Sequence, residues 1–179
     1  MDIFNNYFSK LEEVYKKEFN SLPTVTHDVS LRKELLVGEA NEDDEIQWKS
    51  AVQTEKQDWM TIENHLHFAL NDELKEYYST FYFFFITGQI AGAYVRLYSV
   101  GGKRAVGADI IQHYKDGKYD FPSSEIFLIG EAQIGGNDDL FVYYDNKTKE
   151  VFCYDREKAD KKVLASSLKD FFSDIQADY

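Results

Sequence analysis

The stretch from Leu140 to Phe172 limits most tightly what this chain can fold into. Leu140-Phe-Val-Tyr-Tyr-Asp145 and Glu150-Val-Phe-Cys-Tyr-Asp155 are two strand-length runs of β-branched and aromatic residues, joined by Asn146-Lys-Thr-Lys149. Such residues suit a pleated, half-buried surface, and the short polar connection closes them into an antiparallel hairpin. After a charged loop, Leu164, Leu168, Phe171, Phe172 and Ile175 recur at three- and four-residue spacing, which predicts an amphipathic helix lying along the sheet. No residue here has an obvious reactive role. Cys153, the single cysteine, sits in the alternating strand as a small core residue and excludes an internal disulfide.

Upstream, the apolar period changes once. Phe4, Tyr7, Phe8, Leu11, Val14, Tyr15 and Phe19 keep helical spacing, with Asp2 as a cap and Ser21-Leu-Pro23 as the stop. Leu31 to Leu36 suits a short helical turn, and Ile46-Gln-Trp48 a brief strand. Asp58 is placed to cap a helix over Trp59 to Leu70, and Asn71 another with Leu74, Tyr77 and Tyr78 facing inward. From Thr80 the pattern is strand-like. Thr80 to Thr87 and Ala93 to Val100 read as strands turned by Gly88 to Gly92, and Ser124 to Ile129 as another. Ala105 to Tyr114 is ambiguous, with Val106, Ile110 and Ile111 allowing a short helix. Helices, then strands, then a helix predict an α+β fold. The expectation is a single domain over residues 1–179, one mainly antiparallel sheet with N-terminal helices and a C-terminal helix packed on it.

Charge narrows the partners. The chain has 32 Asp and Glu against 20 Lys and Arg, a formal net charge of −12. Phosphates are repelled by such a surface, which argues against nucleic acid and anionic membrane as partners, whereas a basic protein is attracted. The run Glu39-Ala-Asn-Glu42-Asp43-Asp44-Glu45 is either a solvated loop or a feature that speeds encounter with Lys and Arg. The apolar stretch Phe81 to Val95 is broken by Thr87, Gly88, Gln89 and Gly92 and falls short of the roughly 20 residues that span a bilayer. With no signal-peptide pattern at Met1-Asp-Ile-Phe, the expected location is the cytoplasm, free or peripheral at the inner face of the membrane, without membrane insertion.

Chemistry-bearing motifs are missing. Gly101-Gly-Lys103 runs into Arg104 and lacks the upstream glycine of a phosphate loop. Ser166-Ser-Leu-Lys169 lacks the companion elements of Ser-x-x-Lys enzymes. His65 and His67 lie two apart on a helix, hence on different faces, and His27 and His113 read as surface or half-buried side chains. Asn137-Asp138-Asp139 lacks the spacing of a calcium loop. Carboxylate pairs are plentiful enough that none is specific, and a small hydrolase rests on them alone. No catalytic residue, cofactor or metal is implied, which favours a binding protein.

The series Ile126-Phe-Leu-Ile-Gly130, Asn137 to Tyr144, Glu150-Val151 to Asp155 and Leu164-Ala165-Ser-Ser-Leu168-Lys-Asp-Phe171 resembles the SUKH superfamily. Leu22-Pro23, Gln47-Trp48, Ile62-Glu63 and Glu76-Tyr-Tyr-Ser-Thr80 narrow the resemblance to its Syd branch. Val95-Arg-Leu-Tyr-Ser-Val100 and Ala105 to Tyr114 depart from that branch. The resemblance implies helices on a mainly antiparallel sheet without a catalytic centre. It also implies one of two partners. Most members look like immunity proteins that neutralise a bacterial toxin, often a nuclease, whereas Syd uses an acidic concave face to bind basic cytoplasmic loops of SecY. The expected contact residues are Glu42, Asp43, Asp44 and Glu45, with Asp138 and Asp139 at the hairpin end and Tyr143 as an exposed aromatic anchor.

Overall fold

The computed structural model describes residues 2–179, with side chains from Phe4 onward. Helix α1 (Asp2–Phe19) buries Phe4, Tyr7, Phe8 and Leu11 of the predicted stripe, whereas Val14 and Tyr15 are half-buried and Phe19 is exposed. The cap expected of Asp2 rests on a side chain outside the described ones. The helix ends at Phe19, where Asn20 takes a left-handed φ of 53°. Strands β1 (Thr24–Thr26), β2 (Leu36–Val37) and β3 (Glu45–Trp48) form a small antiparallel sheet in the order β1-β3-β2, with a 3-10 turn over Lys33–Leu35. A two-residue strand β4 (Ala51–Val52) follows.

Helix α2 (Trp59–Leu66) is capped by Asp58, whose carboxylate accepts from Thr61 N at 3.1 Å. It stops short of Leu70 because His67 turns left-handed at φ 67°. Helix α3 (Asp72–Thr80) is capped by Asn71, accepting from Leu74 N at 2.9 Å. Both caps occupy orphan amides at a helix start, which is why Asp and Asn stand there.

The expected strand from Thr80 to Thr87 is two pieces, β5 (Phe81–Tyr82), paired with β4, and β6 (Ile86–Ile90). Gly88, expected in a turn, lies inside β6, and Ala91-Gly92 makes the turn into β7 (Ala93–Leu97) at φ 50° and 75°. The ambiguous segment is helical, α4 (Val106–Gly117). Strands β8 (Ile126–Ile134) and β9 (Asn137–Asp145) follow, and β10 (Val151–Asp155) completes the expected hairpin with Val151 opposite Tyr144. The charged loop after Asp155 is in large part a strand, β11 (Asp160–Ala165), which takes Leu164 and Ala165 out of the expected helix. Helix α5 (Leu168–Asp174) starts where the Ser167 hydroxyl accepts from Asp170 N at 3.0 Å. A final strand, β12 (Gln176–Ala177), closes the chain onto β6.

The fold is α+β around one antiparallel sheet of seven strands in the order β11-β10-β9-β8-β7-β6-β12. One face, with Val95, Leu97, Phe127, Ile129, Val142, Tyr144 and Cys153, joins the apolar sides of the helices in a single core. Gly88 is demanded by this closure. A Cβ there would meet the carbonyl of Gln176 and lie 2.9 Å from Ile175 Cγ1. No helix among the described residues is long and apolar enough to cross a membrane.

The β9–β10 turn is locked to the start of α3 by buried Asn146. Its side chain accepts from Asn71 N at 2.9 Å and donates to Ala69 O and the Glu125 carboxylate, each at 2.9 Å. The Asn71 amide reaches back to Asn146 O at 2.8 Å and to the Tyr144 hydroxyl at 2.7 Å. Removing one member strands several buried polar groups. Asn146→Ala is therefore expected to lower unfolding free energy by about 2–4 kcal/mol, measured as a shifted urea midpoint with unchanged slope. An unshifted midpoint would deny this clamp a role in stability.

Candidate partner-binding groove

Alternation sends a different set of side chains to the sheet's other face, and the register aligns them. Thr87 pairs with Arg96, Arg96 with Glu131, Glu131 with Phe141, and Phe141 with Tyr154, one row across five strands. Two hollows, of about 570 and 380 Å³, share Phe85, Arg96 and Glu131 and so form one groove. Tyr15, Thr24, Thr87, Tyr94, Gln133, Asp138 and Tyr179 line the first. Tyr98, Arg104, Asp109, Gln112, His113 and Asp116 line the second. Phe85 in the floor is set edge-on by Trp48, with ring centroids 4.8 Å apart, and the Arg96 guanidinium lies 5.0 Å over its ring.

The first hollow's wall depends on Thr87. The buried Tyr7 hydroxyl accepts from Thr87 N at 2.9 Å and donates to Thr87 O at 2.7 Å, doing for this edge residue what a strand would do. The Thr87 hydroxyl donates to Asp178 O at 2.5 Å, and Gln89 Nε2 to the Asp178 carboxylate at 3.3 Å. Tyr179 then packs edge-on against Phe19, centroids 4.9 Å apart.

The structure brings two of the expected contact regions to this hollow. Asp138 lines it, and Glu45 reaches its rim by accepting from the Thr24 hydroxyl at 3.3 Å. Glu42, Asp43 and Asp44 are exposed on the β2–β3 connection and line neither hollow. Asn41 shapes that connection, accepting from Asp43 N at 3.0 Å and Glu45 N at 2.9 Å, and Asp44 approaches His27 at 3.8 Å. Asp139 is exposed next to Asp138 but outside the hollow.

Tyr143 is not an exposed anchor. It is fully buried, stacked on Phe152 with Phe121 edge-on, and its hydroxyl donates to Asp120. Arg156 clamps the same carboxylate at 2.9 Å and lies 3.6 Å over the Phe141 ring, holding the segment between α4 and β8 down on the sheet. Arg96, Glu131 and Asp178 belong to no motif in the sequence. The alternation Tyr94-x-Arg96-x-Tyr98 and Glu131-x-Gln133 marks a wet strand face, but only the register joins them.

The second hollow's helical wall holds two buried titratable groups. Asp109 accepts from Gly101 N at 2.7 Å and meets Arg104 at 3.6 Å. Burial dominates and raises its carboxyl to about 6, against the pull of the Gly101 amide and the Arg104 and Arg32 charges. His113, expected to be a surface or half-buried side chain, is buried and shares a 2.5 Å hydrogen bond through Nδ1 with the Tyr78 hydroxyl. Burial, with a smaller push from Arg104, lowers the imidazole to about 4. Among the described residues no three His, Cys, Asp or Glu converge as a metal site.

The family model of the Syd protein (SUKH-2) matches residues 2–177. Among curated proteins none matches the chain.

Asp109 and His113 oppose each other in pH. Asp109 rises from 3.8 to about 6 on folding, so the folded state holds its proton longer and stability falls as pH climbs through that window. His113 drops from 6.5 to about 4, so the unfolded state binds the proton first and stability rises over nearly the same window. Relative to the parent, Asp109→Asn should gain about 1–3 kcal/mol on going from pH 4 to pH 7. His113→Gln should lose a similar amount over the same change. Urea unfolding at both pH values checks this, and parallel pH profiles for all three proteins would refute it.

Proposed function

Since the chain belongs to the Syd protein (SUKH-2) family, which points to a protein-binding role, we propose that it is a non-enzymatic module whose acidic groove grips a basic protein partner. In this reading the partner is a bacterial toxin domain of the nuclease kind, and the chain acts in the cytoplasm as its immunity protein. A nuclease surface must be basic to hold phosphate, and a carboxylate-lined hollow competes for that same surface.

The observation that supports the reading is a hollow lined by Asp138 and Glu131 beside Arg96, walled by Tyr15, Tyr94 and Tyr179 and floored by Phe85, with Glu45 hydrogen-bonded to its lining residue Thr24. Carboxylates steer a cationic partner in, and aromatic rings supply contact area with little rotamer freedom to lose. The net charge of −12 adds long-range attraction. The second reading, the basic cytoplasmic loops of SecY as occupant, draws on the family match and uses the same groove.

The test pairs this protein with the basic C-terminal domain of a secreted toxin encoded beside it. Joint Glu45→Lys and Asp138→Lys substitution should slow association roughly tenfold or more at low salt and flatten its salt dependence. Glu42→Lys with Asp43→Lys should act more weakly, because those side chains stand outside the hollow. An unchanged on-rate in the Glu45 and Asp138 variant would remove the groove from the interface. Salt-reversible binding to SecY-containing membranes, with none to the toxin domain, would decide for the second reading.

A further inference from the structure

The surface that carries the two hollows does not stop with them. A stable protein complex covers about 800 Å² on each partner, more than the two hollows expose. Along the register the same sheet face runs on from Glu131 to Phe141 and Tyr154, both half-buried. The α4 wall runs on too. Asp116 lines the second hollow, and its carbonyl accepts from Tyr119 N at 3.2 Å.

Tyr119 is 80% exposed, more than any other aromatic side chain among the described residues. Its position is nevertheless fixed. The Arg156 guanidinium lies 5.0 Å over its ring and 3.6 Å over that of Phe141, so one cation joins Tyr119 to the sheet face. Arg156 Nε donates to both oxygens of neighbouring Asp120 at 3.0 Å, and the Tyr143 hydroxyl donates to the same carboxylate. Phe121 packs edge-on against Tyr143 and Tyr154, with centroids 5.1 and 5.0 Å apart. Tyr143, buried beneath, thus supports an exposed ring instead of presenting its own.

A lone exposed ring is ordinary on a protein surface. This one is contiguous with other rings and with the groove, and its backbone and one face are held before any partner arrives. Little ordering entropy is then left to lose when it is covered. The charge of Arg156 is matched by Asp120 at 2.9 Å, so the patch does not repel a cationic protein. Resting on the reading of the groove as the partner site, we propose that the interface extends past the second hollow over Phe141 and Tyr154, with Tyr119 as its aromatic anchor, covered by the same basic protein. The groove carboxylates govern encounter, and the Tyr119 patch governs how long the complex lasts.

Association and dissociation rates of the full chain with the basic C-terminal domain of the toxin encoded beside it test this. Tyr119→Ala should speed dissociation at least roughly tenfold and leave association unchanged. Tyr119→Phe keeps the ring and should restore the parent's dissociation rate. The joint Glu45→Lys and Asp138→Lys variant reports separately on the groove, through association. A Tyr119→Ala complex as long-lived as the parent's, or a Phe variant that dissociates as fast as the Ala variant, overturns the anchor. Slow association of the joint variant would then leave the groove standing without it. If the toxin domain does not bind, or the joint variant associates as fast as the parent, the groove is not the partner site and the extension from it falls as well.

Discussion

The acidic wall of the groove hangs on how the open edge of β6 is closed. Beyond β6 the sheet has only the two-residue strand β12, opposite Gly88 and Gln89. Opposite Thr87 strand β12 has ended, and although Asp178 N still donates to Thr87 O at 3.3 Å, the Thr87 amide has no main-chain partner on that side, and leaving it unpaired would cost on the order of 1–3 kcal/mol. The Tyr7 hydroxyl meets both, donating to one and accepting from the other. Burial pushes the Tyr7 phenol well above its ordinary range, so it keeps the proton it donates. With the backbone satisfied from the core side, the Thr87 hydroxyl is left to hold Asp178 at the groove. One phenol on α1 thereby helps fix where the main chain at Asp178 and Tyr179 stands, about ninety residues beyond β6.

The same logic explains what could be read in advance. The α+β class, the 140–155 hairpin and the caps at Asp58 and Asn71 are local matters of spacing and of polar side chains beside orphan amides, and the structure shows each. Strand β11 escaped because Asp160, Lys161 and Lys162 are exposed on an edge, where charge guards the backbone against further pairing and erases the apolar alternation. Gly88 resembles a turn residue by type. Its real constraint is the approach of Ile175 and Gln176, which lie far along the chain. Tyr143 is buried rather than exposed for a related reason. A strand pattern says which side a residue faces, not whether a distant loop comes down on that side, and Asp120 with Arg156 brings one down.

Within the groove, charge and sequence position are likewise decoupled. Glu42 to Glu45 is the conspicuous acidic run, yet only Glu45 reaches the hollow, because Asn41 folds the rest into a tight turn away from it. Asp138 arrives from the β8–β9 hairpin and Asp178 from the end of the chain. Charges brought together by register and closure are held against a rigid sheet, so little entropy is lost when a partner meets them. A solvated run has that cost still to meet.

A raised carboxyl in a hollow, beside a histidine, is also the appearance of an acid–base pair, so the second hollow bears on whether this groove performs chemistry. The commitments of the two groups point the other way. One Asp109 oxygen is bound to Gly101 N and the other faces Arg104, so the carboxylate pins the Gly101 turn, where φ is +64°. His113 spends Nδ1 on Tyr78, whose phenol burial holds protonated, and its imidazole is driven to the neutral form well below neutral pH. A general acid must present its proton toward the space a substrate would fill. Here burial shifts both groups while their hydrogen bonds face the scaffold, so the perturbation belongs to the wall that shapes the groove. In the proposed binding role, the exposed side chains Arg96, Glu131 and Asp138 that line the groove are suited to recognition by charge.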